Sequence, residues 1–123
     1  MSSGGERKLL GRWGESVAAD HLRKHGWTIC AAGWQCRFGE LDLVARKGNI
    51  LAFVEVKLRK NSDFAAPREF VDQRKQNRLR AAAEMYLVQN PTECQPRFDV
   101  VEVLAPQGMH TVRPKINYLE NAF

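Results

Sequence analysis

The chain has 123 residues, with 44% hydrophobic and 27% charged, a balance that excludes a disordered chain. No apolar run approaches the ~20 residues that span a bilayer, and three cysteines without a CxxC pair argue against a disulfide framework or a zinc site. The formal net charge of +5 favours a polyanionic partner such as nucleic acid over a membrane. We therefore expect one cytoplasmic domain over residues 1–123, with residues 1–5 as a disordered lead-in.

The first predicted element is a helix over residues 6–25, because apolar residues recur at three- and four-residue steps between Leu10 and Leu22. Gly26 is expected to end it, since glycine is the preferred residue just beyond a helix. Three strand-like runs follow, over residues 27–32, 38–46 and 50–58. Lys47-Gly48-Asn49 separates the last two runs and predicts an antiparallel hairpin.

Residues 59–71 have the composition of a loop, and Asp72 is expected to cap a helix over residues 73–89. Two more strands are predicted, over residues 98–104 and 109–113. The order is therefore α-β-β-β-α-β-β. Because a helix between the third and fourth strands permits a parallel crossover, we expect an α/β fold whose central mixed sheet is flanked by a helix on each face.

The second and third strands carry the charged residues that indicate chemistry. Because side chains alternate along a strand, Glu40 and Asp42 are expected on one face of the second strand. By the same rule, Glu55 and Lys57 are expected on one face of the third strand. Four apolar residues are expected on the opposite face of the sheet: Leu41, Leu43, Val54 and Val56. The hairpin thus brings three carboxylates and one ammonium close together.

Burying an ionised carboxylate is costly unless it is paired or bound to a metal, and neighbouring carboxylates repel each other. A divalent cation would remove this conflict, and ligands that are all oxygen suit Mg²⁺ or Mn²⁺. We expect Asp42, Glu55 and the backbone carbonyl of Val56 to bind the metal. Lys57 is then placed to support the water that attacks a phosphodiester. The alternative is that Glu55 and Lys57 form only a partly exposed salt bridge on an edge strand.

Glu40, Glu15 and Lys75 are the expected assisting residues. Glu15 lies at the edge of the first helix's apolar stripe, where it either joins the metal site or remains solvated. Lys75 and Arg78 share the side of the second helix that carries Leu79. They either reach the carboxylates or a phosphate, or extend into solvent from the first turns.

The stretch from Lys57 to Arg80 carries eight positive against three negative residues. Such a stretch is either a rim that follows phosphates or an ordinary solvated helix face. The nucleic-acid contacts predicted from this stretch and the segment before the second strand are Arg37, Arg59, Lys60, Arg74, Lys75 and Arg78. No pattern indicates recognition of particular bases.

Gly39-Glu40-Leu41-Asp42-Leu43 with Phe53-Val54-Glu55-Val56-Lys57 resembles the paired motifs of the YraN-like family of small bacterial proteins. Further segments are similar to that family over residues 11–15, 75–79, 97–101 and 121–123. The resemblance implies a restriction-endonuclease-like fold of the PD-(D/E)xK superfamily, near archaeal Holliday-junction resolvases, with Glu15 at the metal. One departure from the superfamily's motif is that Leu41 replaces the proline before Asp42, which leaves the carboxylate in place.

These features predict a Mg²⁺- or Mn²⁺-dependent endonuclease that hydrolyses phosphodiester bonds in DNA. The resemblance alone implies a preference for branched or single-stranded regions. The alternative is a module of the same fold that binds nucleic acid or a partner protein without cutting it. The sequence leaves open whether the substrate is DNA or RNA, whether the chain forms a homodimer, and whether a protein partner is needed.

Overall fold

The computed structural model describes residues 3–60 and 71–123 of the chain. The predicted order α-β-β-β-α-β-β is confirmed within these residues. The elements in chain order are α1 (Ser3–Lys24), β1 (Thr28–Cys36), β2 (Gly39–Lys47), β3 (Ile50–Arg59), α2 (Gln73–Gln89), β4 (Gln95–Leu104) and β5 (Lys115–Leu119). A short 3₁₀ turn over Gly108–His110 precedes β5. Most of the predicted loop over residues 59–71 lies outside the described residues.

The five strands form one mixed sheet in the order β1-β2-β3-β4-β5. Strands β2 and β3 are the predicted antiparallel hairpin, with Lys47 paired to Ile50 across the turn and Gly48 at a φ of 57°. Strands β3 and β4 are parallel, from Ile50–Gln95 to Arg59–Leu104. Because α2 lies between them in the chain, the predicted parallel crossover is also confirmed.

Each face of the sheet is covered by one helix, as the sequence predicts. On one face Ala18 and Leu22 of α1 pack in a cluster of buried residues with Val101. On the other face Leu79 and Tyr86 of α2 pack against the sheet in a second cluster. The central strands are therefore buried on both sides, and a charged side chain in them must find a partner within the fold.

The helix ends follow from local chemistry. Gly26 adopts a φ of 89°, and the backbone N–H of Trp27 donates to the carbonyl of Leu22 at 3.0 Å, which ends α1. Asp72 accepts a hydrogen bond from the backbone N–H of Lys75 at 2.8 Å and so fixes the first turn of α2. At the other terminus, residues 3–5 belong to α1 rather than to the expected disordered lead-in.

The predicted strand over residues 109–113 is wrong, because the chain makes a 3₁₀ turn there and enters the sheet only at Lys115. Gly108 has a φ of 58°, and the Thr111 hydroxyl accepts from the backbone N–H of Gln107 at 3.0 Å, which holds the turn. The true strand carries the alternating pair Ile116 and Tyr118, whose side chains pack on the α1 side of the sheet.

The predicted common face of Leu41 and Leu43 is also wrong. Leu43 packs in the cluster on the α1 side with Val54, whereas Leu41 packs in the cluster on the α2 side. The paired positions of β2 and β3 end at Leu43–Val54, and Gly33 of β1, with a φ of 62°, lies opposite this part of β2. Regular alternation requires a continuous pleat, and it is interrupted where β2 leaves β3.

A buried carboxylate on β4 ties the end of the described chain to the sheet. The side chain of Asp99 is 0% exposed. It accepts hydrogen bonds from Arg97 at 2.9 and 3.0 Å, from the Tyr118 hydroxyl at 2.5 Å, and from the Asn121 backbone N–H at 2.8 Å. Burial and the Asp99 carboxylate raise the pKa of Tyr118, so its hydroxyl remains a donor. Arg97, Tyr118 and the Asn121 amide thus all donate to one buried carboxylate.

We expect Asp99→Ala to lower the free energy of unfolding by roughly 3–5 kcal/mol, because it removes the acceptor of the Tyr118 hydroxyl and leaves Arg97 only the exposed Glu120, at 3.8 Å. Asp20→Ala is the matched control, since Asp20 pairs with Arg23 at 3.2 Å on the surface and such pairs contribute at most ~1 kcal/mol. Urea unfolding monitored by circular dichroism measures both. Equal losses in the two variants would contradict a structural role for the buried network.

Candidate active site

Three carboxylates meet where β2 separates from β3. Oxygen atoms of Glu15, Glu40 and Asp42 all lie within 4.8 Å of one another. Glu15 comes from α1, and the other two come from β2. A Cβ at Gly33 would lie 3.1 Å from a Glu40 oxygen and 3.8 Å from a Glu15 oxygen, so the missing side chain of Gly33 leaves room for this carboxylate cluster.

Asp42 is the most perturbed acid of the cluster. Its Oδ2 accepts a hydrogen bond from the backbone N–H of Val56 at 2.9 Å. Burial and the negative charge of Glu55 nevertheless raise the pKa of Asp42 to about 7. Burial, Glu40 and Glu55 likewise raise the pKa of Glu15. The cluster therefore holds more negative charge than its surroundings neutralise.

Glu55 on β3 faces two lysines. Its carboxylate is only 6% exposed, with Lys75 Nζ at 2.5 Å and Lys57 Nζ at 3.8 Å from the same oxygen. Burial and the neighbouring Lys75 lower the pKa of Lys57. Burial is the largest single influence on Lys75 and opposes its charge, but the hydrogen bond to Glu55, the charges of Glu55 and Asp42 and the contact with Lys57 together raise the pKa of Lys75. Glu55 is therefore paired within the fold.

The structure thus places the two predicted carboxylate ligands in different surroundings. Asp42 lies in the carboxylate cluster, whereas Glu55 lies beside it and is held by Lys75. Among the described residues, ion pairs reach Glu55 but none reaches Asp42. Oxygen donors at this spacing with unbalanced negative charge fit a hard divalent cation such as Mg²⁺ or Mn²⁺. Val56, predicted as a ligand through its carbonyl, contacts Asp42 through its amide.

A cavity of about 300 Å³ opens beside these residues on the α2 side, and we call it the α2 cavity. Its lining residues are Phe38, Gly39, Glu40, Asp42, Glu55, Lys75, Arg78, Leu79 and Ala82. The predicted orientation of α2 is confirmed, because Leu79 and Ala82 are buried while Lys75 reaches the carboxylate of Glu55. The exposed Arg78 adds a second cation to the lining.

The other predicted nucleic-acid contacts lie outside the α2 cavity lining. Arg37 is exposed, with its guanidinium 4.8 Å from the centre of the Phe38 ring. Arg59 is half-buried, with Nε 3.6 Å from an oxygen of Glu102. Lys60 and Arg74 are exposed at the end of β3 and the start of α2. Of the six predicted nucleic-acid contacts, Lys75 and Arg78 are the two that line the α2 cavity.

Sequence reasoning missed Glu102, a second buried carboxylate on the central strands. It is 2% exposed and lies beside Lys57 in the parallel register of β3 and β4. The Asn117 side-chain amide donates to it at 2.8 Å. The available signal was the same as for Glu55, namely a charged residue within an otherwise apolar strand.

The fold and the carboxylate cluster define the class as an α/β protein with a candidate metal site at the point where two strands separate. The chain belongs to the family described as Uncharacterised protein family UPF0102, whose sequence pattern matches residues 14–103. The family resemblance of the motifs is thereby confirmed. No helix among the described residues is long and apolar enough to cross a membrane.

Curated relatives match nearly the whole chain. A UPF0102 protein of Syntrophomonas wolfei is 44% identical over 115 residues, covering 93% of this chain and 96% of its own. One from Nocardia farcinica is 43% identical over 120 residues, covering 97% and 92%. A third, from Acidothermus cellulolyticus, is 42% identical over 128 residues, covering 95% of each chain.

We expect the contribution of Asp42 to the stability of the metal-free protein to fall as the pH rises from about 4 to 7. Asp42 has a pKa of about 7 in the folded chain, above the ordinary value of 3.8, so the folded state binds its proton more tightly. That stabilisation is complete below the unfolded pKa and is lost as the pH rises through about 7, at up to ~1.4 kcal/mol per pH unit.

Asp42→Asn should flatten this decline, because asparagine keeps an acceptor for the Val56 amide but does not titrate. Urea unfolding at several pH values in a chelating buffer measures it, with the exposed Asp20→Asn as the control. A wild-type decline that persists unchanged in Asp42→Asn would show that another group is responsible.

Proposed function

We propose that the protein is a Mg²⁺- or Mn²⁺-dependent endonuclease that hydrolyses phosphodiester bonds in nucleic acid, with DNA as the favoured substrate. The observation that carries the proposal is the group of three carboxylates within 4.8 Å, next to a buried Glu55 flanked by two lysines. A carboxylate cluster has little use in a protein that only binds a polyanion, because it repels phosphate. Its negative charge becomes useful once a cation is bound.

The donor set supports a divalent cation at Glu15, Glu40 and Asp42, with Glu55 as a further ligand from the neighbouring strand. When bound, the cation would polarise the phosphodiester and make a water a better nucleophile at neutral pH. The raised pKa of Asp42 has a direct consequence, because a cation must compete with a proton for this carboxylate below about pH 7.

Lys57 is the residue suited to the reacting water and phosphate. Its ammonium lies 3.8 Å from Glu55 and is half-buried, so its charge acts with little screening. In the hydrolysis the water oxygen bonds to phosphorus, the bond from phosphorus to the leaving oxygen breaks, and that oxygen gains a proton. Lys57 can orient the water or stabilise the negative charge that builds on the phosphate oxygens.

The remaining cations support substrate binding. Lys75 holds Glu55 at 2.5 Å, which fixes the carboxylate and leaves the ammonium facing the α2 cavity. Arg78, one helical turn further along α2, presents a planar group that can bind a phosphate through two hydrogen bonds. The net charge of +5 supports a polyanionic substrate. A preference for branched or single-stranded DNA rests on the family resemblance alone.

If a divalent cation binds this cluster, Mn²⁺ should raise the melting temperature of the wild type. A ligand at 100 times its Kd stabilises the folded state by about 2.7 kcal/mol, which for a domain of this size is on the order of 10 °C. Asp42→Asn should lose most of the rise, whereas Asp20→Asn should retain it. The measurement is thermal unfolding at pH 8 with and without Mn²⁺. No rise at millimolar Mn²⁺ would count against the metal site.

A cleavage assay tests the activity itself. Labelled duplex, single-stranded, flapped and four-way DNA would be incubated with Mg²⁺ or Mn²⁺ and the wild type, Asp42→Asn, Lys57→Ala or the exposed control Lys115→Ala. We expect cutting by the wild type and the control, and losses of at least about 100-fold in the two site variants. A contaminating nuclease would act equally in all four preparations.

The same assay distinguishes the rival function, a binding module without catalysis. The rival predicts no cutting by any preparation, together with salt-sensitive DNA binding that survives both site substitutions.

A further inference from the structure

A second cavity, of about 520 Å³, lies on the other side of the carboxylate cluster, between α1 and strands β1 and β2. We call it the α1 cavity. Its polar lining includes Arg12, Ser16 and Arg23 of α1 and Gln35 of β1. All four side chains are exposed, so they are accessible to a ligand.

The two arginines lie on one face of α1. Positions 12, 16, 19 and 23 follow steps of four, three and four, which brings them onto a single side of a helix. Arg12 and Arg23 are eleven residues apart, or about 16 Å along the helix axis at 1.5 Å per residue. That length corresponds to about five nucleotides of a stacked strand at 3.4 Å each.

Both arginines have capacity for a phosphate. Arg23 contacts Asp20 at 3.2 Å, but the two side chains are 58% and 65% exposed, and such surface pairs are weak and easily exchanged. A guanidinium carries five N–H donors, and this contact uses one atom of Arg23. Arg12 is close enough to Glu15 to oppose the rise in the pKa of that carboxyl, which places its positive charge at the edge of the carboxylate cluster.

The α1 and α2 cavities meet at the proposed metal site. Glu40 lines both of them, and Glu15 belongs to both the α1 cavity and the carboxylate cluster. One cavity offers Lys75 and Arg78 from α2, and the other offers Arg12 and Arg23 from α1. A strand whose phosphate sits at the carboxylate cluster would therefore meet a pair of cations on each side.

The composition of the α1 cavity favours backbone binding over base reading. Its lining residues, all within the described part of the chain, include no aromatic side chain on which a base could stack. Ser16 and Gln35 can donate to phosphate or sugar oxygens, and the arginines can bind phosphates through two hydrogen bonds.

We propose that the α1 cavity binds the phosphate backbone of a single nucleic-acid strand on one side of the phosphate to be cut, through Arg12 and Arg23. The α2 cavity then holds the backbone on the other side through Lys75 and Arg78. This inference rests on the proposed function. The proposed path of the strand runs around the end of β2, from α1 to α2. The positively charged stretch over residues 57–80 does not include α1, so that stretch alone does not indicate this path.

The test compares Arg12→Gln/Arg23→Gln with the charge-matched control Arg46→Gln/Lys115→Gln. Arg46 lies near the hairpin turn at the other end of β2, and Lys115 lies on the edge strand β5. Binding of a fluorescent single-stranded DNA oligonucleotide of about 20 nucleotides is measured by anisotropy from 50 to 300 mM salt, in a chelating buffer. Melting temperatures confirm that both variants fold.

We expect the Arg12→Gln/Arg23→Gln variant to bind at least tenfold more weakly than the control at 50 mM salt. The slope of log affinity against log salt should fall by about 1.4, since each phosphate contact on a single strand contributes about 0.7. Arg12→Lys/Arg23→Lys, which keeps both charges, should restore most of the slope. A second series lengthens the oligonucleotide, and the wild type should gain affinity over more nucleotides than Arg12→Gln/Arg23→Gln.

The outcomes distinguish failure of the proposed strand path from failure of the proposed function. If the wild type binds or cuts DNA and Arg12→Gln/Arg23→Gln matches the control in affinity and slope, the strand path is wrong while the proposed function stands. If the wild type neither binds nor cuts any DNA, the proposed function fails first. Loss of affinity in the glutamine pair that the lysine pair does not recover at all would also overturn a phosphate-binding role.

Discussion

Beyond the pair Leu43–Val54, strands β2 and β3 no longer share paired positions, and the backbone N–H of Val56 donates instead to the carboxylate of Asp42. A side chain thus takes the place of a backbone acceptor where the strands separate. This hydrogen bond holds the Asp42 carboxylate between Glu40, on the same strand, and Glu55, on the neighbouring strand β3. The opening also admits residues from both helices, with Glu15 arriving from α1 and Lys75 from α2.

Charge is unevenly compensated across this opening. Two lysines share one oxygen of Glu55, whereas the described residues give Asp42 only the amide of Val56. The fold maintains this imbalance because Asp72 fixes the turn of α2 that carries Lys75, and the glycine at position 33 lets Glu15 and Glu40 approach each other. The arrangement favours a site that is complete only when a cation is added.

The features predicted correctly from the sequence are those determined by residues close together in the chain. Gly26, Asp72 and the Lys47-Gly48-Asn49 turn each act within a few residues, so the ends of the helices and the hairpin could be placed in advance. The prediction was wrong where the position of a side chain depends on a strand that is distant in the sequence. The face taken by Leu41 changes where the neighbouring strand carries Gly33 at a φ of 62°, and alternation along β2 alone does not reveal it.

The same limit applies to the candidate site. Asp42, Glu55 and Lys57 stand out because charges are conspicuous in apolar strands, and by that criterion Glu102 should have been included. The last strand was misplaced although residues 109–113 do not alternate, since Met109 and Val112 are three positions apart. Ile116 and Tyr118 do alternate, and both pack on the α1 side of the sheet. Arg12 and Arg23 lie far in sequence from the other site residues, so only the packing of α1 on the sheet makes them neighbours of the carboxylates.

The network around Asp99 has a consequence for how the protein is made. Its carboxylate lies on a central strand, but two of its donors, Tyr118 and the Asn121 amide, are encoded 19 and 22 residues later. A chain still being translated through β4 would have to bury that charge with Arg97 alone. The sheet that carries the site should therefore be completed only after those residues leave the ribosome, and until then the apolar strands β3 and β4 would expose surface that favours aggregation.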